Sequence, residues 1–157
     1  MALIVQGKTT CPICKKVIEQ DDNTVAFSGF IANDADPLSE FNDSAFHADC
    51  FASHPLAERC QEVYQRTRSQ LGPGERTCAS CGKPIDDPDD YFTLGCLTSD
   101  EANAAFQFNC VQLHHSCVSS WALLGDAIAV LRENLKSGAL QGNAIDRLLA
   151  EMEKEAS

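Results

Sequence analysis

The sequence predicts a small α+β protein of two tandem modules, each a cysteine turn, a β-hairpin and a helix, with one further helix at the C-terminus. Three observations predict this. The pattern Cys-x-x-Cys, thirty-two residues, His-x-x-Cys occurs twice, as Cys11, Cys14, His47, Cys50 and as Cys78, Cys81, His114, Cys117, every member displaced by 67 positions. The flanks repeat at the same offset without insertion: Thr10 matches Thr77, Lys16 Lys83, Ile18 Ile85, Asp22 Asp89, Phe41 Phe108, Asn42 Asn109 and Val63 Val130. Matched flanks around matched ligand pairs mean duplication of one folded unit. Finally, apolar residues alternate between the two ligand pairs of each copy and change to a helical period after the second pair.

Three thiols and one imidazole per copy form the soft four-donor set that Zn²⁺ takes in closed tetrahedral sites. Two zinc ions are therefore expected, held by the eight repeated residues. Each copy spans about 67 of the 157 residues, which is small for a self-sufficient core. A structural zinc contributes an apparent ~10–16 kcal/mol at neutral pH, more than the total stability of most small domains. The fold is thus zinc-stabilised, and removing metal is expected to unfold it.

The elements follow in order. Ala2 to Val5 reads as a short strand leading to the first Cys pair. Thr24 to Ala32 and Glu40 to His47 are β-rich, as are Tyr91 to Thr98 and Ala104 to His114, and polar breaks at Asn33 to Ser39 and Ser99 to Asn103 make each pair a hairpin with a long loop. After His-x-x-Cys, Leu56, Ala57, Cys60, Val63, Tyr64 and Leu123, Leu124, Ala127, Val130, Leu131 recur as one apolar helix face. Pro55 suits the first turn of the first helix, and the second helix is expected to run unbroken from about Ser116 to Leu135. A last helix starts near Asn143, read as its N-cap, and carries Ile145, Leu148, Leu149 and Met152. The boundaries are a first module over 1–69, a linker over 70–77 containing Gly72, Pro73 and Gly74, a second module over 78–138 and the C-terminal helix over 139–157.

This order of elements resembles a treble-clef zinc finger over residues 11–69 and 78–136. The phrase Phe46-His47-Ala48-Asp49-Cys50-Phe51 is similar to the first zinc finger of LIM domains, where an aromatic precedes His-x-x-Cys and a Phe follows it. The second copy departs from that pattern, with Leu113 and Val118 in the flanking places, and no second paired site follows Cys50 at once. The likeness is to the finger type. An interleaved RING-type reading, with the first and third ligand pairs sharing one ion, is disfavoured because each ligand set lies inside its own repeat.

The other cysteines and histidines have plainer readings. Cys60 falls on the apolar helix stripe opposite Ala127, and Cys96 and Cys110 alternate with Phe92, Leu94, Phe106 and Phe108, so all three read as core thiols. His54 has Trp121 as its repeat partner and is no repeated ligand. His115 adjoins His114 but breaks the repeat spacing.

A formal charge of −11 falls to roughly −13 once two three-thiolate zinc sites are counted. Such a charge argues against nucleic acid, which draws on clustered basic residues. Lys8, Lys15, Lys16 and Lys83 near the Cys turns are the residues a nucleic-acid alternative would use. Catalytic zinc keeps an open position and a nearby base; these sites look filled, and the positions two after His47 and His114 hold Asp49 and Ser116 rather than a glutamate. An enzyme is not expected. A four-residue apolar run at the N-terminus is no signal peptide, no span reaches the ~20 apolar residues of a membrane helix, and available thiols suit a reducing compartment, so a cytoplasmic protein is expected.

The leading expectation is an adaptor that holds a protein partner. Its candidate surfaces are the acidic loop Asn33 to Glu40, the matching Ser99 to Asn103, and any uncovered part of the Ile145–Met152 stripe. An acidic inhibitor of a basic enzyme is compatible with the charge, and a RING-like ubiquitin-ligase module would be an analogy of fold alone.

Overall fold

The structure is a computed structural model that describes residues 5, 7–72 and 74–157. But for Val5, the strand expected at Ala2 to Val5 lies outside the described residues. The chain divides into two compact units. One comprises Met1–Phe30 with Pro37–Ser69; the other joins Ile31–Asp36 to Gln70–Ser157. The sequence reading had placed 31–36 in the first module.

In the first unit, the turn after Cys11 is clasped by two backbone bonds, Cys11 N–H to Lys16 O at 2.9 Å and Lys15 N–H to Cys11 O at 2.9 Å. An isolated bridge pairs Thr10 with Val17 around them. Strand β1 (Thr24–Ala26) then pairs antiparallel with β2 (Ala45–His47), Thr24 opposite His47 and Val25 opposite Phe46. A 3-10 turn, Pro37–Phe41, lies between them, and helices α1 (Ala48–Ala52) and α2 (Ala57–Leu71) follow. The strands are shorter than expected because side chains take over as acceptors. The amide of Gly29 donates to Asp43 Oδ1 at 2.9 Å and that of Phe30 to Asn42 Oδ1 at 3.0 Å, which ends the ladder. Pro55 lies in the turn before α2 and not in its first turn.

The second unit repeats this plan with β3 (Tyr91–Thr93) and β4 (Gln112–His114), Tyr91 opposite His114. The turn bonds recur at the 67-residue offset as Cys78 N–H to Lys83 O and Gly82 N–H to Cys78 O. Asn109 Oδ1 takes the amides of Leu97 and Thr98, again stopping the ladder. The helix expected to be continuous from Ser116 is interrupted. A 3-10 turn spans His115–Ser120, Trp121 is extended, and α3 runs over Leu124–Ser137. Burial of the Trp121 indole, edge-on to Phe108 at 6.1 Å, fixes that break. Gly138, at φ +79°, caps α3 in the left-handed conformation. Helix α4 spans Asn143–Glu155 with Gly142 in the capping place, so Asn143 is its first residue and not its cap. Gly142 is required on two counts: its φ is +118°, and an added Cβ would stand 2.5 Å from the Asp34 carboxylate.

The two cores are filled differently. In the first unit Phe27 packs against Phe30, Phe41, Phe46, Phe51 and Tyr64 at ring separations of 5.0–6.3 Å. At the repeat positions the second unit has Leu94, Leu97, Phe108, Leu113, Val118 and Leu131. Leu140, Ile145 and Met152 of the C-terminal segment, all fully buried, join that smaller aliphatic set. The stripe offered above as a docking face is therefore occupied by its own unit.

Ile31–Asp36 is seated on polar contacts within the second unit. Ala32 N–H donates to Cys96 O and Asp34 N–H to Gln141 O. The Asn33 amide spans two places, Nδ2 donating to Ala139 O at 3.0 Å and Oδ1 accepting from Gln141 N–H at 2.9 Å. Buried Asp36 accepts from the Ser99 amide at 2.7 Å, the Ser99 hydroxyl at 2.8 Å and the Thr98 hydroxyl at 3.2 Å. A hydrogen bond to a charged group contributes about 1.5–3 kcal/mol, and a buried carboxylate tolerates its burial only when so satisfied. Asn33 and Asp36 are buried, so this part of the Asn33 to Glu40 stretch is an internal strut, while Asp34, Ala35, Pro37 and Glu40 remain exposed.

Candidate metal centres

Each hairpin carries its histidine at the end of the second strand, where the chain turns into the next element. The cysteine turn lies on one side of that junction and Cys50 or Cys117 comes three residues later. The donor atoms of Cys11, Cys14, His47 and Cys50 lie within 4.8 Å of one another, as do those of Cys78, Cys81, His114 and Cys117. A tetrahedral zinc with bonds of about 2.3 Å to sulfur needs sulfurs ~3.8 Å apart, so both clusters fit the ion. Two Cys3His clusters that can hold zinc are thus present, and each takes its ligands from one repeat, against the interleaved arrangement.

The imidazoles face inward through Nδ1. His47 Nδ1 is 3.3 Å from Cys14 Sγ, and His114 Nδ1 is 3.4 Å from Cys81 Sγ and 3.9 Å from Cys117 Sγ. The outward nitrogens differ. His47 Nε2 meets Asp22 Oδ2 at 3.1 Å, whereas His114 Nε2 meets the Pro84 carbonyl at 3.0 Å. Either partner holds the ring with Nδ1 free for metal, and a carboxylate also makes it more basic. The sequence had paired Asp22 with Asp89, but Asp89 instead donates its amide to Asp87. The outer partner of the second histidine is a main-chain oxygen, which no side-chain pattern encodes.

Electrostatics within the clusters match metal binding. Burial raises the Cys11 thiol, but the amides of Cys14, His47 and Ile13 outweigh it and bring the group down to about 6. Cys78 is lowered to about 6 in the same way, burial being overcome by the amides of Cys81, His114 and Ser80. His47 is raised to about 9, chiefly by its hydrogen bond to Cys11, and His114 is raised chiefly by Cys78. Cys50 is pushed up to about 11 by desolvation and then by the Cys14 and Cys11 sulfurs; Cys117 is raised likewise. Sulfurs so crowded that Cys50 and Cys117 keep their protons are what a divalent cation relieves, by displacing those protons and the one on the histidine.

The remaining candidates lie elsewhere. His54 accepts the Leu56 amide and stands 3.7 Å from Glu40, edge-on to Phe41. His115 stands 3.4 Å from Glu151. Cys60 is buried, its thiol raised to about 12 by desolvation. Cys96 is buried, but Cys110 is half-buried in a left-handed turn at φ +59° and not on a strand. None of the nine cysteines forms a disulfide. No helix among the described residues is long and apolar enough to cross a membrane.

Compared with known protein families, curated proteins and solved structures, the chain matches none.

Proposed function

We propose that this protein is a non-catalytic adaptor whose two zinc ions, each held by three cysteines and one histidine in a treble-clef-like finger, fix two small units on which a protein partner is held. The observation that carries the reading is the closure of both clusters. Four protein donors converge on each point, which leaves a tetrahedral ion no position for water or substrate. The Asp22 carboxylate beside the first cluster is turned to His47 Nε2 and serves to orient the ring rather than to act as a base. Two units of this size with metal at their centres gain rigidity more than reactivity.

Native mass spectrometry of protein purified without added metal or chelator, joined to zinc X-ray absorption, tests this. Two zinc ions per chain, each with three sulfur and one nitrogen neighbours and no oxygen, are expected, with unfolding on chelation. A water-bearing zinc, or a folded metal-free protein, would overturn the reading.

A further inference from the structure

With Ile31–Asp36 and the C-terminal stripe taken up inside the second unit, the exposed large apolar side chains among the described residues are Val5, Ile13, Val17 and Leu123. Three of the four border the first cysteine turn. Ile13 and Val17 stand 38% and 39% exposed there, beside exposed Lys15 and Lys16. The neighbouring stretch with Val5 and Lys8 is tied to it by Gly7 N–H to Ile18 O and Ile18 N–H to Thr9 O.

Apart from Lys16, kept as Lys83, the second copy shows that the finger does not need these residues. It keeps the ligands, the turn bonds and the Thr77–Pro84 bridge, yet has Gly72 for Val5, Glu75 for Lys8, Ser80 for Ile13, Gly82 for Lys15 and Pro84 for Val17. Lys15 is the most telling of these exchanges. Its φ is +61° and that of Gly82 is +72°, a conformation that glycine adopts freely and a side chain only under strain. Gly82 makes the same turn bond with no side chain, so the turn is built by the backbone at this position and does not require the Lys15 ammonium.

Charge defines the partner. The residues up to Ile18 include three lysines and no acid, while the remaining nine basic residues stand against all twenty-three acidic ones. We propose that the first cysteine turn is a docking surface for an acidic protein segment with aliphatic anchors, the anchors on Ile13, Val17 and Val5 and the carboxylates on Lys8, Lys15 and Lys16. A nucleic acid fits less well because the patch has no aromatic ring on which a base can stack. An anionic bilayer would confront the whole negative surface, whereas a short segment meets only the patch. This inference rests on the adaptor reading and gives it a site.

The test uses zinc-loaded full-length protein and three synthetic twelve-residue peptides: glutamates flanking leucine and isoleucine anchors, the same peptide with lysine for glutamate, and the same with serine for the anchors. Only the first is expected to bind, with amide shifts confined to Val5–Ile18 and an affinity that weakens several-fold as salt rises. The combined variant Ile13→Ser, Lys15→Gly, Val17→Pro takes residues the second copy already carries in the same backbone geometry. It should retain two zinc ions and lose tenfold or more in affinity, as should Ile13→Ser alone to a lesser degree. Binding of the lysine peptide, binding that survives the combined variant, or no binding by any peptide overturns the proposal. Tighter capture of an oligothymidine or of phosphatidylserine-containing vesicles through the same residues overturns it too. Because coordination is measured separately, failure of the patch in a protein with two closed zinc sites leaves the adaptor reading standing.

Discussion

Asp36 and Ser99 form a two-point polar contact in the second unit, one carboxylate accepting both the backbone amide at 2.7 Å and the hydroxyl at 2.8 Å of a single serine. The contact joins residues 63 positions apart. Asp36→Ala leaves those donors unpaired in a buried place, so the second unit should lose about 2–3 kcal/mol. At 4–8 °C per kcal/mol for a domain of this size, its melting point should drop by roughly 10–20 °C. Thermal unfolding of the variant checks this; an unchanged melting point would mean that Ile31–Asp36 adds nothing to that unit.

The ligand variants should separate the units in a way that exposes this strut. Cys14→Ser is expected to open chiefly the first unit to protease, and Cys81→Ser the second. In the Cys81→Ser protein, cleavage should also appear at Ala32–Ala35, far upstream in sequence, because that segment loses its seat. Mass mapping of early fragments checks it. Protection of 32–35 in that variant would place the strut's support elsewhere.

The outer hydrogen bonds of the two histidines make the clusters unequal. Asp22→Ala removes the carboxylate from His47 Nε2 and should weaken zinc at the first cluster about 10–100-fold. The second cluster, whose histidine relies on the Pro84 carbonyl, should be unaffected. Competition against a calibrated chelator, read as a two-step release, measures both.

Zinc affinity should rise with pH, because the ligands must lose their protons to bind. Because the metal-free unit is unfolded, its ligands there carry ordinary values of about 8.5 for a thiol and about 6.5 for an imidazole. Binding to three thiolates and a neutral imidazole then displaces close to three protons near pH 7, so affinity should gain on the order of a thousandfold per pH unit there, and the slope should flatten as pH passes about 8.5. Calorimetric titration in buffers of different ionisation enthalpy counts the protons directly.

How much of this was legible in the sequence varies with the range of the interaction. The eight cluster residues were legible because a duplication preserves spacing, and Leu56 to Tyr64 showed α2 because a helix face is a local period. Strand ends were not, since Asn42, Asp43 and Asn109 end the ladders by accepting amides that a propensity would assign to pairing. The break at Trp121 follows from burial of one indole, which periodicity treats as one more apolar residue. Asn33, Asp34 and Asp36 have the composition of a solvated loop, and nothing within ten residues of them shows that their partners lie at Thr98, Ser99, Ala139 and Gln141.

The strut also sets an order of assembly. Asn33 leaves the ribosome 108 residues ahead of Gln141, the residue whose amide it accepts. The first cluster can thus collect its ligands, close and take metal while most of its neighbour has yet to be made. The second unit completes its framework only when Gln141 and the helix after it have emerged. Pairings so distant along the chain close slowly, so a newborn chain passes through a period with one half finished and a polar loop waiting for its seat.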